Sequence, residues 1–113
     1  MTIEGTGDPV SRIYALIKAG RYRVRLHAVR HMIEEGFDEW DLVQALQGRL
    51  RVIEEYPEDS RHLVLGRFRL TPTTVCSLHA VCDLSGAEVL DIVTAYLPQR
   101  PWWVSPTRRG RRK

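Results

Sequence analysis

The stretch from His27 to Asp41, HAVRHMIEEGFDEWD, constrains the fold more than any other part of the chain. It spells out the end of one helix and the start of the next. Gly36 can take the left-handed backbone conformation that closes a helix without a Cβ penalty. Asp38 can then accept hydrogen bonds from the free N–H groups of a new first turn. Glu39 and Asp41 add negative charge where that helix's dipole is positive. The stretch therefore predicts a tight αα hairpin with His27, Arg30 and His31 near its start.

The rest of the chain reads outward from this hairpin. Asp8-Pro9 is a helix start, with Asp as cap and Pro at the first helical position. Val10, Ile13, Tyr14 and Ile17 then follow one-face helical spacing up to Gly20. Tyr22 to Leu26 alternates and reads as a short strand or an extended lead-in. His27 to Glu35 is the second helix, and Glu39 to Gln47 the third, with Gly48 as its stop. Four strands are expected after that: Leu50 to Tyr56, His62 to Leu70, Val75 to Asp83 and Glu88 to Leu97. In the second of these, Val64, Phe68 and Leu70 share one face, and Leu63, Leu65, Arg67 and Arg69 share the other. The connections at Pro57–Ser60 and Asp83–Gly86 are too short for parallel crossovers, so they predict an antiparallel meander. Helices followed by strands make an α+β domain, with the N-terminal helices packed on a four-stranded antiparallel sheet.

Length and charge bound the function. A chain of 113 residues is one domain by ordinary size, with a modest core. The expected domain is 8–104, with a flexible leader at 1–7 and a basic tail at 105–113. That tail carries Arg108, Arg109, Arg111, Arg112 and Lys113, five of the 17 basic residues. Without them the formal charge falls from +3 to −2. A compact basic end attracts phosphates or an acidic partner, or is simply a solvated terminus. No apolar run reaches the roughly 18 residues needed to span a bilayer, and no signal peptide is visible, so the expectation is a cytoplasmic protein with no membrane partner. Cys76 and Cys82 lie on one expected strand, six residues and roughly 20 Å apart. That is too far for a disulfide, and both are expected as buried free thiols.

Several of these segments together carry a resemblance. His27-Ala28, Arg30, Met32, Glu35-Gly36 and Val43-x-x-Leu46-x-Gly48 resemble the pattern of a bacterial family catalogued as domain of unknown function 4258. Glu54-Glu55-Tyr56-Pro57, Leu63-Val64-Leu65-Gly66, His79-Ala80-Val81 and Ile92-Val93-Thr94-Ala95-Tyr96-x-Pro98 continue it, as does a tryptophan at Trp102 or Trp103. The resemblance spans about Tyr22 to Trp103. Arg25 departs from it, since a serine or threonine is expected two positions before the histidine, and this puts the usual cap of the second helix in question. The layout is similar to the RelE/ParE superfamily of toxins, including the BrnT-type ribonucleases. The resemblance implies a RelE-like fold and a small cytosolic protein of a toxin–antitoxin pair. Many such proteins cut messenger RNA without a metal.

Metal-free RNA cleavage needs a base for the ribose 2′-OH, a cation for the phosphate and an acid for the leaving oxygen. Histidine and arginine suit those tasks. The expected catalytic set is His27, Arg30, Arg67 and Tyr96. His27 and Arg30 share a helix face at its N-terminal end, where free N–H groups can hold an anion. Arg67 is expected on a strand beneath that helix. Arg69, Trp102, Arg108, Arg109, Arg111 and Arg112 are the expected nucleic-acid contacts. Each residue also has a plain structural use, as cap, core or solvated face. His27 and His31 have metal-ligand spacing, yet no third ligand is obvious, so no metal and no cofactor are expected. The partners expected are RNA and a cognate antitoxin, with a homodimer as a further possibility. The alternative function is a non-catalytic protein-binding or homodimerising module.

Overall fold

The computed structural model of the chain describes residues 8–86, 88–99 and 103–110. Three helices come first in the described chain. α1 (Pro9–Lys18) starts on the Asp8 cap, whose side chain accepts from the Ser11 N–H at 3.1 Å. After the short strand β1 (Tyr22–Val24) comes α2 (Leu26–Glu35), which closes on Gly36 at φ 84°. α3 (Glu39–Gln47) opens with a reciprocal capping box: the Asp41 N–H donates to Asp38 at 2.9 Å, and the Asp38 N–H donates to Asp41 at 3.1 Å. The hairpin read from His27 to Asp41 is thus present with both of its signals. Arg25 stands at the N-cap of α2 and makes no side-chain cap. Its guanidinium goes instead to Asp91, at 2.8 Å.

β2 (Arg51–Tyr56), a 3₁₀ turn over Pro57–Asp59, β3 (Arg61–Thr71), β4 (Thr74–Asp83) and β5 (Leu90–Tyr96) then pair in sequence, each antiparallel to the one before. The sheet is not the four-stranded antiparallel one expected. β1 joins its far edge parallel to β5, giving a five-stranded mixed sheet in the order β1-β5-β4-β3-β2. Tyr22 pairs with Leu90 and Val24 with Ile92, and two arginines clamp the junction: Arg23 binds Asp91 at 3.0 and 3.1 Å beside Arg25. Those two guanidiniums, Arg25 first, hold the Asp91 carboxyl well below the usual carboxylate range. A three-residue edge strand has too few positions for its alternation to name a partner 68 residues away.

All three helices cover one face of the sheet. Ile13, Leu42, Leu46, Phe68, Leu78 and Ile92 are fully or almost fully buried there, and Phe37, just past α2, stacks at 5.7 Å on Phe68. Gly66 permits the close approach of α3, because a Cβ at this position would fall 2.8 Å from the Ala45 carbonyl oxygen and 3.0 Å from Leu50. Cys82 is fully buried in this core, and burial pushes its thiol up to about 12. Cys76 packs on the same core but is only half-buried, and both thiols are free.

The chain past Leu97 does not run off as a plain tail. Trp103–Ser105 (β6) pairs antiparallel with Arg108–Arg109 (β7) in a small hairpin, so ordered structure continues beyond residue 104. The leader 1–7, Trp102, Arg111 and Arg112 lie outside the described residues. Among the described residues no helix is long and apolar enough to cross a membrane.

Candidate functional site

Strand alternation sends every second side chain to the face away from the helices. In register across that face, Leu65 lies opposite His79, and His79 opposite Tyr96; one step along, Glu54 lies opposite Leu63, and Leu63 opposite Val81. Glu54 follows a bulge in β2 between Val52 and Glu54, and bulges re-aim side chains. Leu63 and Leu65 are 1% and 5% exposed although they sit outside the helix-side core. The β6–β7 hairpin reaches this face and makes polar contacts to His79 and Glu54.

Two linked groups meet there. In the first, Arg109 grips Glu54 in a planar fork, Nε to Oε2 at 2.7 Å and Nη2 to Oε1 at 2.9 Å. The Tyr56 hydroxyl donates to the same carboxylate. The Arg109 guanidinium holds Glu54 below its ordinary value, and Glu54 in return raises Arg109. Burial, followed by the bond to Glu54, raises the Tyr56 phenol. In the second group, fully buried His79 has Nε2 at 2.6 Å from the Pro106 carbonyl oxygen. A carbonyl only accepts, so Nε2 carries the proton. Burial lowers the His79 value and keeps the ring neutral, which leaves Nδ1 to accept from the Tyr96 hydroxyl at 3.3 Å. The two rings meet edge to face at 5.3 Å.

The residues expected from the sequence are divided by the sheet. His27 and Arg30 are exposed on α2, which packs over β5 on the helix side. The His27 ring contacts that of His31 at 4.8 Å. Phe68 takes the helix side of β3, so Arg67 is exposed on the opposite face, and Tyr96 shares that opposite face with His79. His27, Arg30 and Arg67 therefore do not form the shared site expected at the junction of α2 and the sheet. Arg69 is exposed; its backbone N–H donates to Gln44 at 2.8 Å and its guanidinium to the Pro72 carbonyl at 2.9 Å. Arg108 is exposed in β7, whereas Arg109 is engaged with Glu54.

Sequence reasoning about catalysis passed over Glu54 and Tyr56, and weighed His79 as a histidine either exposed or buried with a hydrogen bond without placing it in the catalytic set. All three fall in segments that carried the family resemblance, which was the available signal. Among the described residues no group of three or more His, Cys, Asp or Glu could hold a metal ion. No protein family, no curated protein and no solved structure matches this chain. The chemistry of the far face is thus the basis for a functional reading: a carboxylate that can take a proton, a guanidinium that fits a phosphate, and two phenols beside a neutral imidazole.

Proposed function

We propose that the protein is a toxin-like member of a toxin–antitoxin pair that cleaves RNA without a metal, on the sheet face turned away from the helices. The observation that carries this reading is the hydrogen-bonded set Glu54, Tyr56 and Arg109, beside the His79–Tyr96 pair. An incoming phosphate competes with Glu54 for the Arg109 fork. Once Arg109 turns to the phosphate, the carboxylate loses the partner that depresses it and becomes a better base. Glu54 then takes the 2′-hydroxyl proton, the 2′ oxygen bonds to phosphorus, and the bond to the 5′ oxygen breaks. Tyr56 gives its proton to that leaving oxygen and recovers one from Glu54. The products are a 2′,3′-cyclic phosphate and a free 5′-hydroxyl. His79 acts as a positioning residue in this scheme, since its bond to Pro106 holds the hairpin that carries Arg109. The RelE-like layout, the cytoplasmic setting and the antitoxin partner belong to the same proposal.

The test is incubation of the purified chain with single-stranded RNA in excess chelator, with end-group analysis of the fragments. Cyclic phosphate ends are expected, and Glu54→Gln should slow cleavage by about 10²-fold or more while the fold is kept. Absence of cleavage, or equal cleavage by the variant, defeats the proposal.

A docking module is the second reading. Leu26 and Ile33 favour it, being 65% and 72% exposed and seven residues apart on one face of α2. Sedimentation that reports a dimer dissociated by Ile33→Glu would support it.

A further inference from the structure

The outer side of α3 carries a groove of about 280 Å³ lined by Trp40, Val43, Gln44, Gln47 and Gly48. We propose that this groove docks the basic segment 110–113 of a second copy of the chain, with an arginine stacked on Trp40. The docking stands apart from the RNA-directed reading above and uses none of its residues. The spacing 40, 43, 44, 47 places the lining side chains on a single helical stripe. Trp40 is 74% exposed on that stripe. An indole face attracts a cation, and the flat guanidinium of arginine stacks on it better than a lysine ammonium does.

Charge selects the occupant. The lining is uncharged, but the two ends of the groove differ. At the Trp40 end stand the first-turn carboxylates of α3, with Asp38 and Glu39 exposed and Asp41 half-buried. Asp38 and Asp41 make the capping box, and Glu39 accepts from the Tyr22 hydroxyl at 2.7 Å. All these donors are neutral, so the three negative charges remain. At the other end exposed Arg49 follows Gly48, and the Arg69 guanidinium is turned to the Pro72 carbonyl. The carboxylates beside Trp40 repel a phosphate backbone. A peptide with a small uncharged residue at one end and cations at the other suits both ends, and Gly110-Arg111-Arg112-Lys113 has that order. The length fits as well. Trp40 and Gly48 are eight helical positions apart, about 12 Å, and four extended residues span at most about 14 Å.

The same four residues favour a second copy over the groove's own chain. Arg109 is pinned to Glu54 on the far face, whereas α3 packs on β3 from the helix side. A reach of about 14 Å from Arg109 is little more than half of the 25 Å that the molecule measures in its thinnest direction. A second copy has no such limit, and two copies can exchange these segments reciprocally about a two-fold axis. The overall charge points the same way: without Arg108, Arg109, Arg111, Arg112 and Lys113 the chain carries −2, so the basic segment of one copy is drawn to the body of another. The contact is small and exposed, which makes a weak, salt-sensitive dimer.

Sedimentation equilibrium of the full chain, from micromolar to millimolar concentration, tests the docking. A dimer is expected at low salt and its loss at high salt. Trp40→Ala and deletion of residues 111–113 should each raise the dissociation constant about fivefold or more, while Ile33→Glu leaves it unchanged. In parallel, a labelled synthetic peptide of residues 107–113 is titrated and read by anisotropy. It should bind the parent about fivefold or more tighter than Trp40→Ala, and its counterpart with lysine for every arginine should bind less well. Trp40 is exposed, so Trp40→Ala should keep the parent's thermal midpoint. A monomer at every concentration overturns the docking. So does a dimer that ignores Trp40→Ala or the deletion, which would belong to another surface such as Leu26 and Ile33. A monomer whose deletion variant binds the peptide more tightly than the parent would give the groove to its own chain instead. Displacement of the peptide by a single-stranded RNA pentamer, lost in Trp40→Ala, would give it to a nucleic acid and overturn the docking too. RNA cleavage, present or absent, alters none of these readouts.

Discussion

The two faces of the sheet exclude water by different means. The helix side is an apolar layer in which Ile13, Leu42, Leu46, Phe68 and Leu78 are almost wholly buried, and its hold does not depend on charge. The far side buries Leu63 and Leu65 with the β6–β7 hairpin nearby, held by polar pins: His79 to Pro106 and Glu54 to Arg109. The first layer is stable by area and close packing. The second is stable only while its donors and acceptors keep their protonation states. A face built this way can exchange one of its pins for a ligand, whereas the apolar layer has nothing to exchange. That contrast is the reason the proposed chemistry is sought on the far side.

The largest effect should come from trimming each layer in turn. Phe68→Ala removes a ring packed on Phe37 and should cost about 3–5 kcal/mol. Leu63→Ala is a deletion of similar burial on the far side and should fall toward the lower end of the roughly 2–5 kcal/mol range, because a two-strand hairpin settles into a void more easily than a helix layer. Denaturant unfolding of both variants measures the difference. Equal losses would mean that the two faces are packed alike, and the comparison would fail.

A smaller effect isolates the polar pins. His79→Gln should cost about 1–3 kcal/mol at neutral pH, through a buried bond to Pro106 that is lost or poorly replaced. Its signature lies in the pH dependence. The folded-state value of His79 is depressed, so on acidification the unfolded chain takes up its proton first. Stability from this group is whole above the ordinary histidine range and is lost as the pH falls from there toward the lower folded value. Glu54, also depressed, adds a loss of the same sign below the ordinary carboxylate range. The variant should therefore show a flatter stability profile between neutral pH and about pH 5 than the parent. Parallel profiles would remove His79 as a pin of the hairpin.

Legibility in the sequence followed the range of the interaction. The αα hairpin was readable because Gly36 and Asp38 act within a few residues of their own positions. The four long strands were readable from alternation, and so was the separation of Phe68 from Arg67. The fifth strand was not, because Tyr22–Val24 is specified by its pairing with Leu90–Ile92 and by Asp91, far along the chain. The candidate site was hidden for the same reason. His79 meets Tyr96 only through the β4–β5 register, and Arg109 meets Glu54 only because the hairpin folds back across 55 positions. Composition made Arg109 one cation of a basic tail. Tertiary structure makes it the partner of a specific carboxylate.

The smallest predicted effect concerns Arg25, where the local sequence and the tertiary structure ask for different residues. At the N-cap of α2 a serine would accept a backbone N–H, which contributes about 1 kcal/mol over a residue that makes no cap. Arg25 forgoes that bond and instead holds Asp91 together with Arg23. The pair is partly exposed, with the Arg25 side chain 45% accessible, so solvent screens it and it contributes little. Arg25→Ser should therefore change stability at neutral pH by less than about 1 kcal/mol, as a gained cap offsets a lost ion pair. Acid tells the two contributions apart. The depressed Asp91 contributes stability above the ordinary carboxylate range and loses it as the pH falls through its folded value. Without Arg25 the depression is smaller, so the variant has less to lose, while the serine cap does not titrate. Relative to the parent, the variant should grow more stable as the pH drops below about 4. A difference between the two that stays constant with pH would show that Arg23 alone holds Asp91, and that Arg25 does not contribute to the clamp on the parallel edge strand.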